Sequence, residues 1–243
     1  GGGGGGGGGV AAAGEPRSVT LYRTLRYLRR LETEQTPPPP GASLWGGRAE
    51  DIGTTLEREQ SGTGSTRQQM TLAAFAWGGV WLHSFAAAFT HPVVRAALTS
   101  AARSDGVAVV LGASLGFEAY VPALTYGVRT VGLELLCGLA GLAEEVRTAH
   151  GVPSGLARFE CGDALEWTLP ASTRLVYVDD TAWDHHSITR LAAKLAAELP
   201  PGAVVVHNNH AGYEGNRKYR LLETLEVACS WNAEHPVIVH ARK

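Results

Sequence analysis

The stretch from Val107 to Glu134 reads VAVVLGASLGFEAYVPALTYGVRTVGLE, and it decides the fold. Its first five residues, 107–111, carry no polar side chain, which is typical of a strand that helices cover on both faces. Gly112 and Gly116 then frame a turn where a missing Cβ lets the backbone bend sharply and approach a ligand. The order of strand, glycine turn, helix and second strand predicts one half of a nucleotide-binding α/β sheet.

Glu134 ends the second predicted strand, 22 residues after Gly112. In nucleotide-binding sheets, an acid at about this distance accepts hydrogen bonds from ribose hydroxyls. The competing interpretation is that Glu134 caps the helix that follows it. The joint spacing of turn and acid favours the ligand role.

Downstream, apolar segments alternate with amphipathic patterns and predict three more strands, at 157–161, 175–178 and 203–206. Polar residues follow each of these strands: Gly162-Asp163-Ala164, Asp179-Asp180 and His207-Asn208-Asn209-His210. Because the carboxyl ends of parallel strands meet at one edge of a sheet, we expect these residues to lie together.

The last two predicted strands, 221–229 and 237–239, are separated by too few residues for a crossover helix. They predict an antiparallel hairpin. The fold class expected is therefore α/β, with a doubly wound, mostly parallel, seven-stranded sheet that ends in this hairpin.

Residues 1–66 begin with nine glycines and contain the proline run Pro37–Pro40. They predict a low-complexity tail and linker with a short basic helix near Arg17–Arg30, which is either a solvated amphipathic helix or a targeting segment. Residues 67–243 are predicted to form the folded domain. Aromatic residues at four-residue spacing, from Trp77 to Phe89, predict the core face of one of its helices.

Net charge, the length of apolar runs and the cysteine pattern indicate which partners and which cellular compartment to expect. A net charge of −2 provides no field to attract a polyanion, so nucleic acid is not expected as a partner. No apolar run reaches the length of a membrane span. Cys137, Cys161 and Cys229 lack metal-site spacing, so we expect a reducing intracellular compartment, cytoplasm, nucleus or organelle, and no disulfide framework.

From about Val107 onward the chain resembles the class I S-adenosylmethionine-dependent methyltransferases, whose seven-stranded sheet ends in a reversed hairpin. Within them it is most similar to the non-SET histone-lysine methyltransferase (disruptor of telomeric silencing) family and its algal and protist relatives. Four motifs carry the resemblance: LGASLG (111–116), VGLEL (131–135), VYVDDTAWD (176–184) and LLETLEVACSW (221–231).

The resemblance implies S-adenosylmethionine as the cofactor and an unidentified acceptor, with protein lysine as the leading expectation. The turn formed by Gly112, Ala113, Ser114 and Gly116 would lie under the methionine part. Glu134 would bind the ribose, Asp163 and Ala164 the adenine, and Asp179 the methionine amine near the transferable methyl. A turn-forming role is the alternative for Asp163.

Methyl transfer requires alignment of acceptor and methyl group, and an amine acceptor must also lose a proton. Asp179 or Asp180 would assist that loss if burial raises the pKa of the carboxyl group. Trp183 is expected either to form a wall of the acceptor channel or to pack against the next helix. These three residues are the predicted catalytic set.

Three other functions fit parts of the pattern. The expected methyltransferase itself includes no metal. A metal-assisted O-methyltransferase would use Asp179 and Asn208-Asn209 as Mg²⁺ ligands, or the nearby histidines for a softer metal. A catalytically silent interaction module is favoured by two departures from the methyltransferase pattern, Val110 in place of an acid and Ser114 in place of the middle glycine. A NAD-dependent oxidoreductase is disfavoured by the missing Gly-x-Gly-x-x-Gly motif and by the final hairpin.

Overall fold

The structure is a computed structural model and describes residues 16–34, 88–181, 183–228 and 234–243. The strands within these ranges are β1 (Val107–Leu111), β2 (Arg129–Glu134), β3 (Ala157–Cys161), β4 (Thr173–Val178), β5 (Val204–His207), β6 (Tyr219–Val227) and β7 (His235–Arg242). They form one sheet in the order β3-β2-β1-β4-β5-β7-β6. Strands β1 to β5 pair in parallel, whereas β7 is antiparallel to both β5 and β6. The predicted fold class, including the final hairpin, is confirmed.

The helices in the described ranges are α1 (Arg17–Glu34), α2 (Pro92–Arg103), α3 (Phe117–Val121), α4 (Cys137–Ala149) and α5 (His185–Glu198). A π-helical turn, Pro122–Tyr126, continues α3. None of these helices is long and apolar enough to cross a membrane.

The sheet is covered on both faces, as the apolar sequence of β1 predicts. Every residue of β1 is buried. Ala108 and Val110 belong to one core cluster, and Val107, Val109 and Leu111 belong to the other. This division follows from the two-residue period of a strand, which turns successive side chains to opposite faces. The sheet is therefore held between two layers, and its loops carry the polar residues.

Helix α1 confirms the helix predicted near the N-terminus and packs on the domain. Leu25 and Leu28 are buried in the first core cluster, and Thr24 is fully buried beside them. The helix thus contributes to the core, which the interpretation of residues 1–66 as tail and linker did not include. The proposed boundary at residues 66–67 lies outside the described residues, as do Pro37–Pro40, most of the aromatic stripe from Trp77, and Cys229.

The expected alternation of strands and helices fails between β3 and β4. Residues 162–172 form turns and extended segments without a helix. They nevertheless take the chain past β2 and β1 to the place of β4, because about a dozen residues suffice for a parallel crossover.

One expectation about the cysteines is wrong. Cys137 and Cys161 form a disulfide with their Cα atoms 4.8 Å apart. Cys161 ends β3, where it is the register partner of Glu134 in the neighbouring strand, and Cys137 begins α4 three residues after that acid. The parallel pairing of β2 and β3 brings together two cysteines that are 24 residues apart in sequence.

Candidate functional site

The candidate site lies at the carboxyl ends of β1, β2 and β4. The chain leaves β1 through a turn in which Gly112, Ser114 and Gly116 all have positive φ, at 76°, 47° and 91°. The amides of Gly112 and Ala113 both donate to the carbonyl oxygen of Leu133 in β2, at 2.9 and 3.0 Å. The turn predicted to bind a cofactor is therefore hydrogen-bonded to β2, the strand that ends in Glu134.

Glu134 is buried with its carboxylate against the glycine turn. Its Oε2 accepts a hydrogen bond from the Ser114 amide at 2.8 Å, and its Oε1 accepts one from the Leu136 amide at 2.9 Å. Burial raises the pKa of Glu134, these amides lower it, and the nearby charge of Asp179 raises it further. Glu134 is thus hydrogen-bonded to the glycine turn. Its second hydrogen bond, to the Leu136 amide just before α4, also supports the interpretation that Glu134 caps this helix.

Gly112 lies between the turn and the end of β4. A Cβ added at Gly112 would lie 3.2 Å from the carbonyl oxygen of Asp179. The Asp179 amide in turn donates to the carbonyl oxygen of Leu111 at 3.0 Å. The sequence-predicted residues Gly112 and Asp179 are therefore neighbours.

Gly116 has a packing role that sequence reasoning missed. A Cβ at Gly116 would meet the ring of Phe159 at 2.5 Å, and a Cβ at Gly132 would meet the same ring at 2.5 Å. Phe159 of β3 thus fills the space that both glycines leave. The need for glycine at position 116 comes from this ring and from the positive φ.

Asp163 and Ala164 lie beyond the end of β3. Asp163 Oδ1 accepts a hydrogen bond from the Leu165 amide at 2.8 Å, and its carbonyl oxygen accepts from the amides of Glu166 and Trp167. Ala164 is buried in the second core cluster. Asp163 therefore makes the turn that was its alternative interpretation, and its contact with adenine stays a prediction.

Asp179 is partly buried at the end of β4. Its Oδ1 accepts a hydrogen bond from the Thr181 hydroxyl at 3.3 Å. Burial raises the pKa of Asp179 to about 6, although the hydrogen bonds from Thr181 lower it. A carboxylate of this kind is ionised at neutral pH and accepts a proton more readily than an ordinary aspartate.

Asp180 points away from solvent and is fully buried. Its Oδ1 accepts a hydrogen bond from the Asn208 amide at 2.8 Å, and its Oδ2 lies 4.0 Å from His207 Nδ1. Burial raises the pKa of Asp180 to about 8. The structure separates this residue from Asp179, because consecutive side chains at a strand end face opposite ways.

Trp183 is partly buried and packs against the second core cluster. This contact agrees with the expectation that Trp183 packs in the core beside the next helix. That Trp183 forms a wall of the acceptor channel stays a prediction. The next residue, Asp184, caps α5 by accepting hydrogen bonds from the Ser187 amide and hydroxyl at 2.9 and 2.6 Å.

The histidines after the strands do not gather around Asp179. His185 and His186 are exposed at the start of α5. His207 is fully buried, with its Nε2 2.9 Å from Nδ1 of His240 in β7 and its ring stacked on Tyr213 at 3.8 Å. Burial lowers the pKa of His207 to about 3. Within the described ranges, no group of three or more His, Cys, Asp or Glu side chains is placed to hold a metal ion.

No family model matches the sequence, and no curated protein matches it. Among solved structures, the chain is similar to magnesium protoporphyrin IX methyltransferase from Synechocystis PCC 6803 with bound S-adenosylhomocysteine. The two are 11% identical over 81% of this chain and 97% of that chain, with a TM-score of 0.55. A mutant of MtNAS in complex with S-adenosylmethionine is 13% identical over 93% of this chain and 77% of that chain, with a TM-score of 0.50. The chain has the Rossmann-like fold of the S-adenosylmethionine-dependent methyltransferases.

Proposed function

We propose that this chain is an S-adenosylmethionine-dependent methyltransferase. The observation that carries the proposal is the buried carboxylate of Glu134, held by the Ser114 amide of the glycine turn at the carboxyl edge of the sheet. In open α/β sheets, ligands bind outside this edge, where the strand order reverses. Here that reversal lies between β1 and β4, next to Gly112 and Asp179.

The residues at this edge fit the cofactor. A carboxylate offers about four acceptor positions, so Glu134 retains capacity for ribose hydroxyls beyond its bonds to the Ser114 and Leu136 amides. Gly112 presents no side chain at the turn, and Asp179 places a negative charge suited to the cofactor's ammonium group. When bound, S-adenosylmethionine supplies a methyl group on a sulfonium that is already activated to leave.

The chain's own contribution is alignment of the acceptor and removal of its proton. Asp179 is the better candidate for the proton acceptor, because it is partly exposed whereas Asp180 is fully buried. Its pKa of about 6 leaves it ionised at neutral pH and able to take a proton from an ammonium or hydroxyl group. We propose a protein lysine as the acceptor, which agrees with the motif resemblance at 176–184 and with a site that must accept a proton.

The first test is calorimetric titration of the protein with S-adenosylmethionine and S-adenosylhomocysteine, with NAD as the comparison ligand. Micromolar binding of both methyl-cycle ligands is expected, and Glu134→Ala should weaken it by about tenfold or more because a charged hydrogen-bond acceptor is lost. Glu145→Ala removes an exposed acid from α4 and should bind as the parent does. Absence of binding to both ligands would overturn the enzyme proposal and leave the interaction module.

The second test identifies the acceptor. Radiolabelled S-adenosylmethionine is incubated with purified core histones, with lysine-containing peptides and with a catechol, each with Mg²⁺ and with EDTA. Labelling of lysine that EDTA does not abolish supports the proposal. Labelling of the catechol alone, lost in EDTA, would replace it with the metal-assisted O-methyltransferase.

A further inference from the structure

Asn208 lies directly after β5 and forms hydrogen bonds to Asp180 and to Thr181, the neighbour of both acids of the candidate site. It is 5% exposed. Its backbone amide donates to Asp180 Oδ1 at 2.8 Å, and its side-chain Nδ2 donates to Thr181 Oγ1 at 3.3 Å. The sequence predicts Asn208 only as an alternative metal ligand, whereas in the structure its side-chain amide belongs to a chain of hydrogen bonds.

Thr181 is the next member of that chain. A hydroxyl group has one proton to donate and two lone pairs to accept with. Because Thr181 Oγ1 accepts from Asn208, its own proton is available to a third group. Two groups lie within reach, Asp179 Oδ1 at 3.3 Å and His235 Nε2 at 3.5 Å.

The direction of these bonds depends on His235. Burial lowers the pKa of His235, so the ring is neutral at neutral pH. When Nε2 carries the ring proton, His235 donates to Thr181, and among the described residues the Asp179 carboxylate is then the acceptor within reach of the Thr181 proton. In that arrangement Asn208 and His235 both direct the hydroxyl toward Asp179.

The backbone of Asp179 is fixed independently of its side chain. Its amide donates to the Leu111 carbonyl oxygen, and its own carbonyl oxygen lies against Gly112. The side chain can still rotate about two bonds unless something holds it. Among the described residues, the Thr181 hydroxyl is the side-chain group hydrogen-bonded to this carboxylate.

We propose that Asn208, acting through Thr181, is a positioning residue that holds the Asp179 carboxylate in place beside the glycine turn. The inference rests on the proposed function, in which Asp179 takes the acceptor's proton. Asn208 is thereby distinguished from Asn209, whose Oδ1 accepts from the Ala211 amide within its own turn.

The hydrogen-bond chain from Asn208 through Thr181 also affects the pKa of Asp179. The titratable groups near Asp179 are Glu134 from β2, Tyr177 from β4, Asp180 after β4, and His235 from β7 through Thr181, and the charge of Asp179 raises the pKa of the first three. The Thr181 hydrogen bond stabilises the charged carboxylate and so lowers its pKa. Breaking the chain at Thr181 or reversing it at Asn208 should therefore raise that pKa.

Two variants test the chain at different links. Thr181→Val removes the hydroxyl at an exposed position with little change of shape. Asn208→Asp replaces the amide donor with an acceptor, which draws the Thr181 proton away from Asp179 and adds a negative charge. Each should raise the Asp179 pKa by about half a unit or more. Thr181→Ser retains the hydroxyl group, so the pKa of Asp179 should be the same as in the parent protein.

The pKa of Asp179 is read by carboxyl-carbon NMR titration of the protein without ligand, and the acidic limb of the pH profile of kcat is measured in parallel. Thr189→Val and Asn216→Asp are the controls, since among the described residues the Thr189 hydroxyl bonds to its own helix and the Asn216 side chain bonds within its own turn. An upward shift in both test variants, absent from the controls and from Thr181→Ser, supports the proposal.

An Asp179 pKa that is the same in parent, Thr181→Val and Asn208→Asp would overturn it, even if Asn208→Asp also loses stability, because Thr181→Val removes the hydrogen bond to Asp179 directly. The NMR titration needs neither cofactor nor turnover. A shifted pKa in a protein that binds no S-adenosylmethionine would therefore support the hydrogen-bond chain and contradict the proposed enzyme, so the two failures are distinct.

Discussion

At the scale of single residues, the glycine turn after β1 serves packing as much as ligand approach. Gly116 has a φ of 91°, and a Cβ there would meet Phe159 at 2.5 Å. Gly116→Ala should therefore lower the free energy of unfolding by about 2–5 kcal/mol, from backbone strain of about 1–2 kcal/mol plus overpacking of about 1–3 kcal/mol. Urea denaturation of the two proteins measures the difference.

Gly202 provides the matched control for this prediction. Its φ is 83°, yet a Cβ there would meet nothing within 4 Å. Gly202→Ala should cost only the strain of about 1–2 kcal/mol. Equal losses in the two variants would show that the Phe159 ring moves aside without cost and that φ alone requires glycine at 116.

Sequence reasoning placed Gly112, Glu134 and Asp179 at one edge because strand ends are readable from apolar runs and turn residues. It left Asp179 and Asp180 as equal candidates for the proton acceptor, since no sequence pattern tells which of two consecutive acids faces the core. It also missed Phe159, whose contacts with Gly116 and Gly132 come from β3 and depend on tertiary packing. What remained hidden at this scale is side-chain direction.

At the scale of elements, the disulfide between the end of β3 and the start of α4 ties together the two segments beside Glu134. It closes a loop with a sequence separation of 24 residues, so the chain-entropy model assigns it about 3 kcal/mol of stability. Thermal unfolding should therefore show a lower Tm in Cys137→Ser, in Cys161→Ser and in the parent with a reducing agent. The reducing agent should leave both variants unchanged.

Cys229→Ser is the control for that measurement and should respond to reduction as the parent does. A parent Tm that is insensitive to reduction would contradict the bond. Sequence spacing did not predict this pair, because contact between Cys137 and Cys161 requires the parallel register of β2 and β3. The general alternation of strands and helices likewise does not hold between β3 and β4, where the connection contains turns.

At the scale of the whole molecule, Asp180 and His207 are two buried titratable groups that should make stability vary with pH in opposite directions. Burial raises the pKa of Asp180 from 3.8 to about 8, so the folded protein holds a proton there that the unfolded chain has released. Stability contributed by Asp180 therefore falls as pH rises through this range. Burial lowers the pKa of His207 from 6.5 to about 3, so its contribution rises with pH up to 6.5 and then ends.

Below pH 6.5 these two slopes oppose each other, and above it only that of Asp180 remains. Between pH 6.5 and about 8 the free energy of unfolding should fall by about 2 kcal/mol, at about 1.4 kcal/mol per pH unit for one proton. Asp180→Asn retains an acceptor for the Asn208 amide and cannot ionise, so its urea denaturation curves should be independent of pH across this window. If the free energy of unfolding of the variant falls with pH as steeply as that of the parent, the proton released in this window belongs to a group other than Asp180. A variant whose stability no longer varies with pH in this window, but which retains methyl transfer, would show that Asp180 serves the fold, as expected if the proposed proton acceptor is Asp179.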